Sequence, residues 1–156
     1  MRLTDETQTG DQTDEPGGFN DLLGFYVVEW SEARAVVELA LNEKHLNRSG
    51  NVHGGVLASM LDNALSLAGL YCPVAGNARR AVTLSLSTTF VGPARYGVLR
   101  ATGVLRGGGR KIFMASADIV DAQGNLVAMG EGSFKRRPGS ESPEGLPIAQ
   151  LRAFRE

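Results

Sequence analysis

Cysteine, histidine, surplus charge and long apolar runs are all scarce in this chain, and each shortage excludes something. With Cys72 as the one cysteine among 156 residues, no disulfide can form within a copy, which removes the secreted disulfide scaffolds. Two histidines, His45 and His53, and no close His/Cys cluster leave no zinc-like ligand spacing, so neither a metal nor another resident cofactor is expected. No run approaches the roughly 20 apolar residues of a membrane span. The opening MRLTDETQTGDQTDEPGG lacks the basic region and apolar stretch of a signal peptide. Sixteen basic against 17 acidic side chains give a net charge of -1, so the whole molecule attracts neither nucleic acid nor anionic membrane. A cytoplasmic protein is expected, in which any anionic ligand is met by local groups.

What is present fits one domain: 42% hydrophobic and 21% charged residues are ordinary for a globular core. Residues 1–18 are polar and acidic without apolar periodicity and read as a disordered leader. The stretch from Pro138 to residue 156 reads as a tail, with Ile148, Leu151 and Phe154 spaced for a short amphipathic helix. The folded unit is then residues 19–137. Within it, GFYVVEW and ARAVVELAL make a hairpin, and AVTLSLSTTFVG, GVLRATGVLR, KIFMASADIVD and NLVAMGEGSFKRR supply four more strands. The turns between the last three are Gly107-Gly108-Gly109 and Asp121 to Asn125. One helix, about Gly54 to Leu70, stands between hairpin and strands and is apolar almost all round, as buried helices are. The expected class is α+β, an antiparallel sheet of six strands wrapped around one helix.

That helix carries a stripe of small and polar residues, Gly55, Ser59, Asp62, Asn63, Ser66 and Gly69, spaced by three and four. An aspartate on a helix is ordinarily solvated, but on a helix this apolar it needs a partner. His53-Gly54-Gly55 opens the helix, where the first N–H groups lack intrahelical acceptors and suit an oxygen gaining negative charge. Equally, His53 can be a plain helix-start residue. At 1.5 Å per residue Asp62 lies roughly 12 Å along the axis from Gly54, whereas reacting groups meet within about 3 to 3.5 Å. If the two act together, a two-fold dimer must bring the helix start of one copy to the aspartate of the other.

Asn47, Gly50, His53-Gly54-Gly55 and Asp62, followed by FVGPAR and GGGRKIF, resemble the signature of the hotdog-fold acyl-CoA thioesterases of the PaaI-like group. The strand and helix order matches over about residues 19–135. The resemblance implies a hydrolase that cleaves an acyl- or aryl-CoA to free acid and coenzyme A, the coenzyme being part of the substrate. It implies that the Gly54 N–H polarises the thioester carbonyl and that Asp62 of the facing subunit is nucleophile or general base. Asn47 would orient the carbonyl or water, His53 support the loop, and the Thr83 hydroxyl position water. Gly55, Ser85, Phe90, Arg106, Gly107, Gly108, Gly109, Arg110, Lys111 and Lys135 would line the path of the coenzyme, with Arg136 and Arg137 as further basic groups nearby. A homodimer is required for such a site, and the group's habit implies a homotetramer.

A Ser-His-Asp triad has little to draw on with two histidines, and GGG without Gly-Lys-Ser/Thr is no P-loop. The rival reading is a non-catalytic hotdog module that binds acyl-CoA as sensor or carrier. A hotdog dehydratase would use a paired Asp and His in a motif absent here. Leu65, Leu67, Leu70 and Tyr71 are the expected lining of an acyl pocket between subunits, and Cys72 the expected small core residue.

Overall fold

A computed structural model describes residues 18–152. Helix α1 (Phe19–Leu23) leads into strands β1 (Tyr26–Ser31) and β2 (Arg34–Ala40), then a 3-10 turn at Glu43–His45 and helix α2 (Gly54–Ala68). After it come β3 (Asn77–Ala78), β4 (Ala81–Phe90), β5 (Val98–Gly108), β6 (Ile112–Val120), β7 (Leu126–Arg136), β8 (Leu146–Pro147) and α3 (Ile148–Arg152). The expected leader lies outside the described residues apart from Gly18.

Six strands form one antiparallel sheet in the order β1-β2-β5-β6-β7-β4, and β3 with β8 makes a separate pair. This is the α+β architecture expected, one helix against one curled sheet. Val56, Leu57, Met60, Leu61, Ala64, Leu65 and Ala68 of α2 are buried, recurring every three or four residues. All of these but Ala68 meet Leu99, Ala101, Phe113, Ala115, Ile119 and Phe134 of the sheet in a single core. Each large side chain so buried contributes about 1.5–3 kcal/mol. At Gly103 in β5 the two layers touch backbone to backbone, since a Cβ there would lie 2.1 Å from the Ala64 carbonyl oxygen. Only glycine permits that separation.

The helix stops at Ala68, two residues before the expected end, with Gly69 as its C-cap. Ser59, Asp62, Asn63 and Ser66 lie half-buried off the packed face, as the stripe predicts. Gly69 does not extend that stripe. Outside the helix the chain turns it under the Phe113 ring, whose Cε2 would be 2.1 Å from an added Cβ.

Two segments escape the strand and helix reading. Helix α1 is fastened to α2 by reciprocal amide bonds, Asn20 Nδ2 to Asn63 Oδ1 at 3.0 Å and Asn63 Nδ2 to Asn20 Oδ1 at 2.7 Å. His45, buried, takes the Asn42 N–H on Nδ1 and donates from Nε2 to the Leu23 carbonyl at 2.7 Å. The segment after Pro138, read from sequence as a tail, folds back on the domain. Arg79 donates to the Ser140 and Glu141 carbonyls, the buried Ser140 hydroxyl accepts from Arg80 N–H, and β8 pairs with β3. Cys72, buried as expected, donates its thiol to the Glu144 carbonyl at 3.3 Å.

Residues paired across a ladder share a face. Thr83 of β4 is partnered by Phe134, on the helix side, and Leu86 by Gly132. Ser85 pairs with Ser133, Ser87 with Glu131, and these with Met114 and Ser116 of β6, all on the outer face. β4 ends the sheet and leaves Val82, Leu84, Leu86 and Phe90 exposed.

Candidate active site

The loop before α2 is held by the side chains that the sequence singled out. Asn47 Oδ1 accepts the Ser49 and Asn51 N–H groups at 2.9 and 3.2 Å, an Asx turn that closes NRSGN. Arg95, on the connection after β4, donates Nε–H to Asn51 Oδ1 at 2.9 Å and braces the same loop. His53 caps the helix: its Nδ1 accepts the Gly55 N–H at 2.9 Å, while its carbonyl accepts from Val56 and Leu57.

This capping decides which amide is left for a ligand. Of the N–H groups of residues 54 to 57, three are thereby engaged, and the Gly54 N–H alone has no acceptor among the described residues. It sits at the positive end of a helix of 15 residues with no acidic side chain in the first turn. The Phe90 ring lies against Gly54 on its Cα side, Cζ lying 3.3 Å from where a Cβ would be. Gly55 also opens the site sterically, but its N–H is committed to His53.

Eight residues on, Asp62 is half-buried at the edge of the core. Thr83 Oγ1 donates to its Oδ1 at 2.7 Å, across from α2 to β4. The other carboxylate oxygen has no hydrogen bond to any described residue. Thr83 therefore fixes the carboxylate itself in this chain. One oxygen is oriented and the other stays available as base or nucleophile.

The residues expected along the coenzyme path fall into two groups. Phe90 lies at the helix start. The turn Gly107, Gly108, Gly109, Arg110 and Lys111 projects, exposed, from the end of the β5–β6 hairpin. β6 and β7 pair Phe113 with Phe134, and β7 and β4 pair Phe134 with Thr83, so this turn stands at the Asp62 end of the molecule. Ser85, Arg106 and Lys135 are on the outer face, away from Asp62. Ser85 bonds Ser133 and Arg106 bonds Ser116 at 2.6 Å, and both line an outer groove of about 350 Å³. The larger neighbouring cavity, about 560 Å³ and lined by Thr89, Thr102, Asp118 and Glu131 among others, is on that outer face as well.

Two expectations need correcting. Arg136, expected among the exposed cations, points inward and is 7% exposed, its guanidinium spent on backbone carbonyls. Leu65 and Leu70, expected to line an acyl pocket, are buried in the core, which leaves Leu67 and Tyr71 half-buried. Arg95 and the Asn20–Asn63 pair, both beside the site, escape sequence reading because long-range partners leave no periodicity behind.

Among the described residues no group of three or more His, Cys, Asp or Glu could hold a metal ion, and no helix is long and apolar enough to cross a membrane. The model of the Thioesterase superfamily matches residues 49–128, from the Asn47 loop into β7. Human acyl-coenzyme A thioesterase 13 is 29% identical over 116 residues, covering 72% of this chain and 80% of that protein. The structure of the E. coli PaaI protein from the phenylacetic acid degradation operon superposes with a TM-score of 0.71 at 28% identity, covering 81% of this chain and 88% of that one. A mutant of the PaaI protein from Thermus thermophilus gives a TM-score of 0.66 at 28% identity, with 76% and 98% covered. With more than half of its residues inside the family match and the fold shared over about four-fifths of its length, the chain belongs to the thioesterase superfamily and is a hotdog-fold hydrolase of the PaaI-like kind.

Proposed function

We propose that the chain hydrolyses acyl-CoA thioesters as a homodimer, with Asp62 of one subunit and the Gly54 N–H of the other at each site. The observation that carries this reading is the layout of β4. Its Thr83 end is bonded to Asp62, and its Phe90 end lies on Gly54. β4 is a sheet edge with exposed apolar side chains, the kind of strand that pairs with another copy. Antiparallel pairing of two β4 strands about a two-fold axis sets the Asp62–Thr83 end of each chain against the Gly54–Phe90 end of its partner. The separation of roughly 12 Å within one helix is thereby overcome.

At such a site the partner's Gly54 N–H receives the thioester oxygen as it gains negative charge, aided by the helix dipole. Asn47, with Oδ1 held by its own loop, offers its amide N–H groups to the carbonyl or the water. Two routes follow for Asp62. As general base it takes a proton from water while the water oxygen bonds the carbonyl carbon; the C–S bond then breaks and the thiolate leaves, to be protonated. As nucleophile its free oxygen forms a mixed anhydride with loss of thiolate, and water then cleaves the anhydride. Both give free acid and coenzyme A. Single turnover in ¹⁸O water separates them, because only the anhydride route can leave label in the Asp62 carboxylate.

The exposed Arg110 and Lys111 are the groups of the chain that would meet the coenzyme phosphates. By analogy with the group, two such dimers would make a homotetramer. Thiol release from a panel of aryl and aliphatic acyl-CoAs tests the activity, and sedimentation equilibrium tests the assembly. Turnover by a species no smaller than a dimer is expected. Coenzyme A binding without turnover on any member would favour the sensor or carrier reading, and a fully active monomer would refute the shared site.

A further inference from the structure

Helix α1 is too short to hold itself. It has five residues, well below the length at which a helix is stable alone in water, and none of them is buried. Directed bonds fix it instead. Besides the reciprocal amide bonds of Asn20 and Asn63, Lys44 Nζ donates to the Leu22 carbonyl at 3.1 Å and the buried His45 ring to the Leu23 carbonyl at 2.7 Å. Leu23 and Phe25 lean on the core. Phe19 and Leu22, three apart and therefore neighbours on the helix surface, stay 57% and 67% exposed. Apolar area stabilises only when water is removed from it, so these two side chains contribute little to the fold of the free subunit. A helix pinned in place by four polar bonds holds them ready for something else.

Their position says what that is. α1 leads into β1, and the sheet runs β1-β2-β5-β6-β7-β4, so α1 and β4 stand at opposite flanks of α2. The bonds of α2 repeat this order. Asp62 is bonded to Thr83 of β4, whereas Asn63, about 100° further round the helix, is bonded to α1, and Leu67, one turn beyond Asn63, gives its carbonyl to Trp30 of β1. On the proposed pairing a second copy takes the β4 flank and leaves α1 uncovered. The coenzyme runs to the β5–β6 turn. From a thioester carbon at Asp62, the direction that remains crosses the outer face of α2, over Ser59 and Ser66, to α1. Both serines are short and half-buried, so no large side chain of α2 bars that path.

An apolar wall is also what the site lacks, since Leu65 and Leu70 are buried in the core. Asn63 follows Asp62 directly, and a helix with its side chains is about 10 Å across, so α1 stands about 10 Å from the reacting carboxylate. An extended chain advances about 1.2 Å per bond, so about eight carbons are needed to reach α1.

Resting on the thioesterase reading, we propose that α1 is the far wall of the acyl-binding groove and that Phe19 and Leu22 select linear acyl chains long enough to reach it. Shorter acyl groups stop over the serines and gain nothing from the helix.

Kinetics with decanoyl-CoA and butyryl-CoA, and calorimetry with the S-decyl and S-butyl thioethers of coenzyme A, which bind without being cleaved, test this. In the double variant Phe19→Ala, Leu22→Ala the ratio of kcat/KM for the decanoyl over the butyryl substrate should fall about ten-fold, and the Kd for the decyl thioether should rise by about as much. The urea midpoint should hold, because both side chains are exposed. A ratio and a Kd within two-fold of the unaltered protein would overturn the role. So would a change of assembly in sedimentation equilibrium with the chain-length preference intact, which would assign α1 to a second copy. Amide hydrogen exchange on the unaltered protein needs no variant to fold. The decyl thioether should slow exchange at Leu22 and Gly24, whose N–H groups close on the Gly18 and Asn20 carbonyls, more than the butyl thioether does. Equal protection by the two refutes the wall. If no thioester is hydrolysed, the hydrolase reading fails, while the thioether and exchange results still decide this one; turnover indifferent to chain length sinks this inference and leaves the hydrolase standing.

Discussion

The two ends of α2 are treated in opposite ways. At the N-terminal end His53 satisfies three of the first amides and leaves the Gly54 N–H without an acceptor among the described residues. At the C-terminal end the Trp30 indole N–H takes the Leu67 carbonyl at 2.8 Å and a buried arginine takes that of Gly69. A helix leaves four groups unsatisfied at each end, and sealing them stabilises the fold. An end left unsealed stores binding capacity for a ligand. The two ends should therefore answer differently to mutation, one through rate and one through stability.

The largest effect is expected between them. Asp62→Asn should lower kcat at least 100-fold with little change in urea midpoint, since the amide oxygen still accepts from Thr83; an unaltered rate would remove Asp62 from the chemistry. Next, at the sealed end, Gly69→Ala forces a methyl into the Phe113 ring and should cost about 2 kcal/mol of stability by urea denaturation, with kcat of the folded enzyme kept. At the open end, Gly54→Ala should do the reverse. Phe90 is 54% exposed and free to yield, so stability should hold while kcat/KM falls about ten-fold as the added methyl crowds the carbonyl site. Smallest is His53→Ala, which loses a cap and about 1 kcal/mol. The two alanines at 54 and 69 are roughly 22 Å apart along the helix and should be additive in a double-mutant cycle; strong coupling would end the division into a rate end and a stability end.

Much of this was legible in the chain because periodicity reports burial. Six strands, their order around one helix, and the packed face of α2 could all be read from alternation and from three-and-four spacing. Asp62 stood out because a carboxylate is conspicuous on an apolar helix. Its bond to Thr83 joins residues 21 apart, directly from α2 to β4, and only the family resemblance pointed to Thr83 at all. Arg136 was misplaced for a related reason. In KRR at the end of a strand, alternation gives one of three cations to the inner face, yet charge suggests that all three are solvated. Helix α1 and the β3–β8 pair are too short to show a period, and they are held by side-chain bonds to distant residues.

Gly103 has no chemistry of its own, but it sets a length on which the chemistry depends. Because the backbone of β5 rests on the carbonyl of Ala64, two residues beyond Asp62, the thickness of the domain at that point is one atom-to-atom contact with no compliant side chain between. A methyl group at 103 would act as a wedge, lifting α2 and drawing the Asp62 carboxylate away from the hydroxyl on β4 that aims it. Screens for activity would then score position 103 as indispensable, although it is a buried glycine with no side chain to offer the reaction.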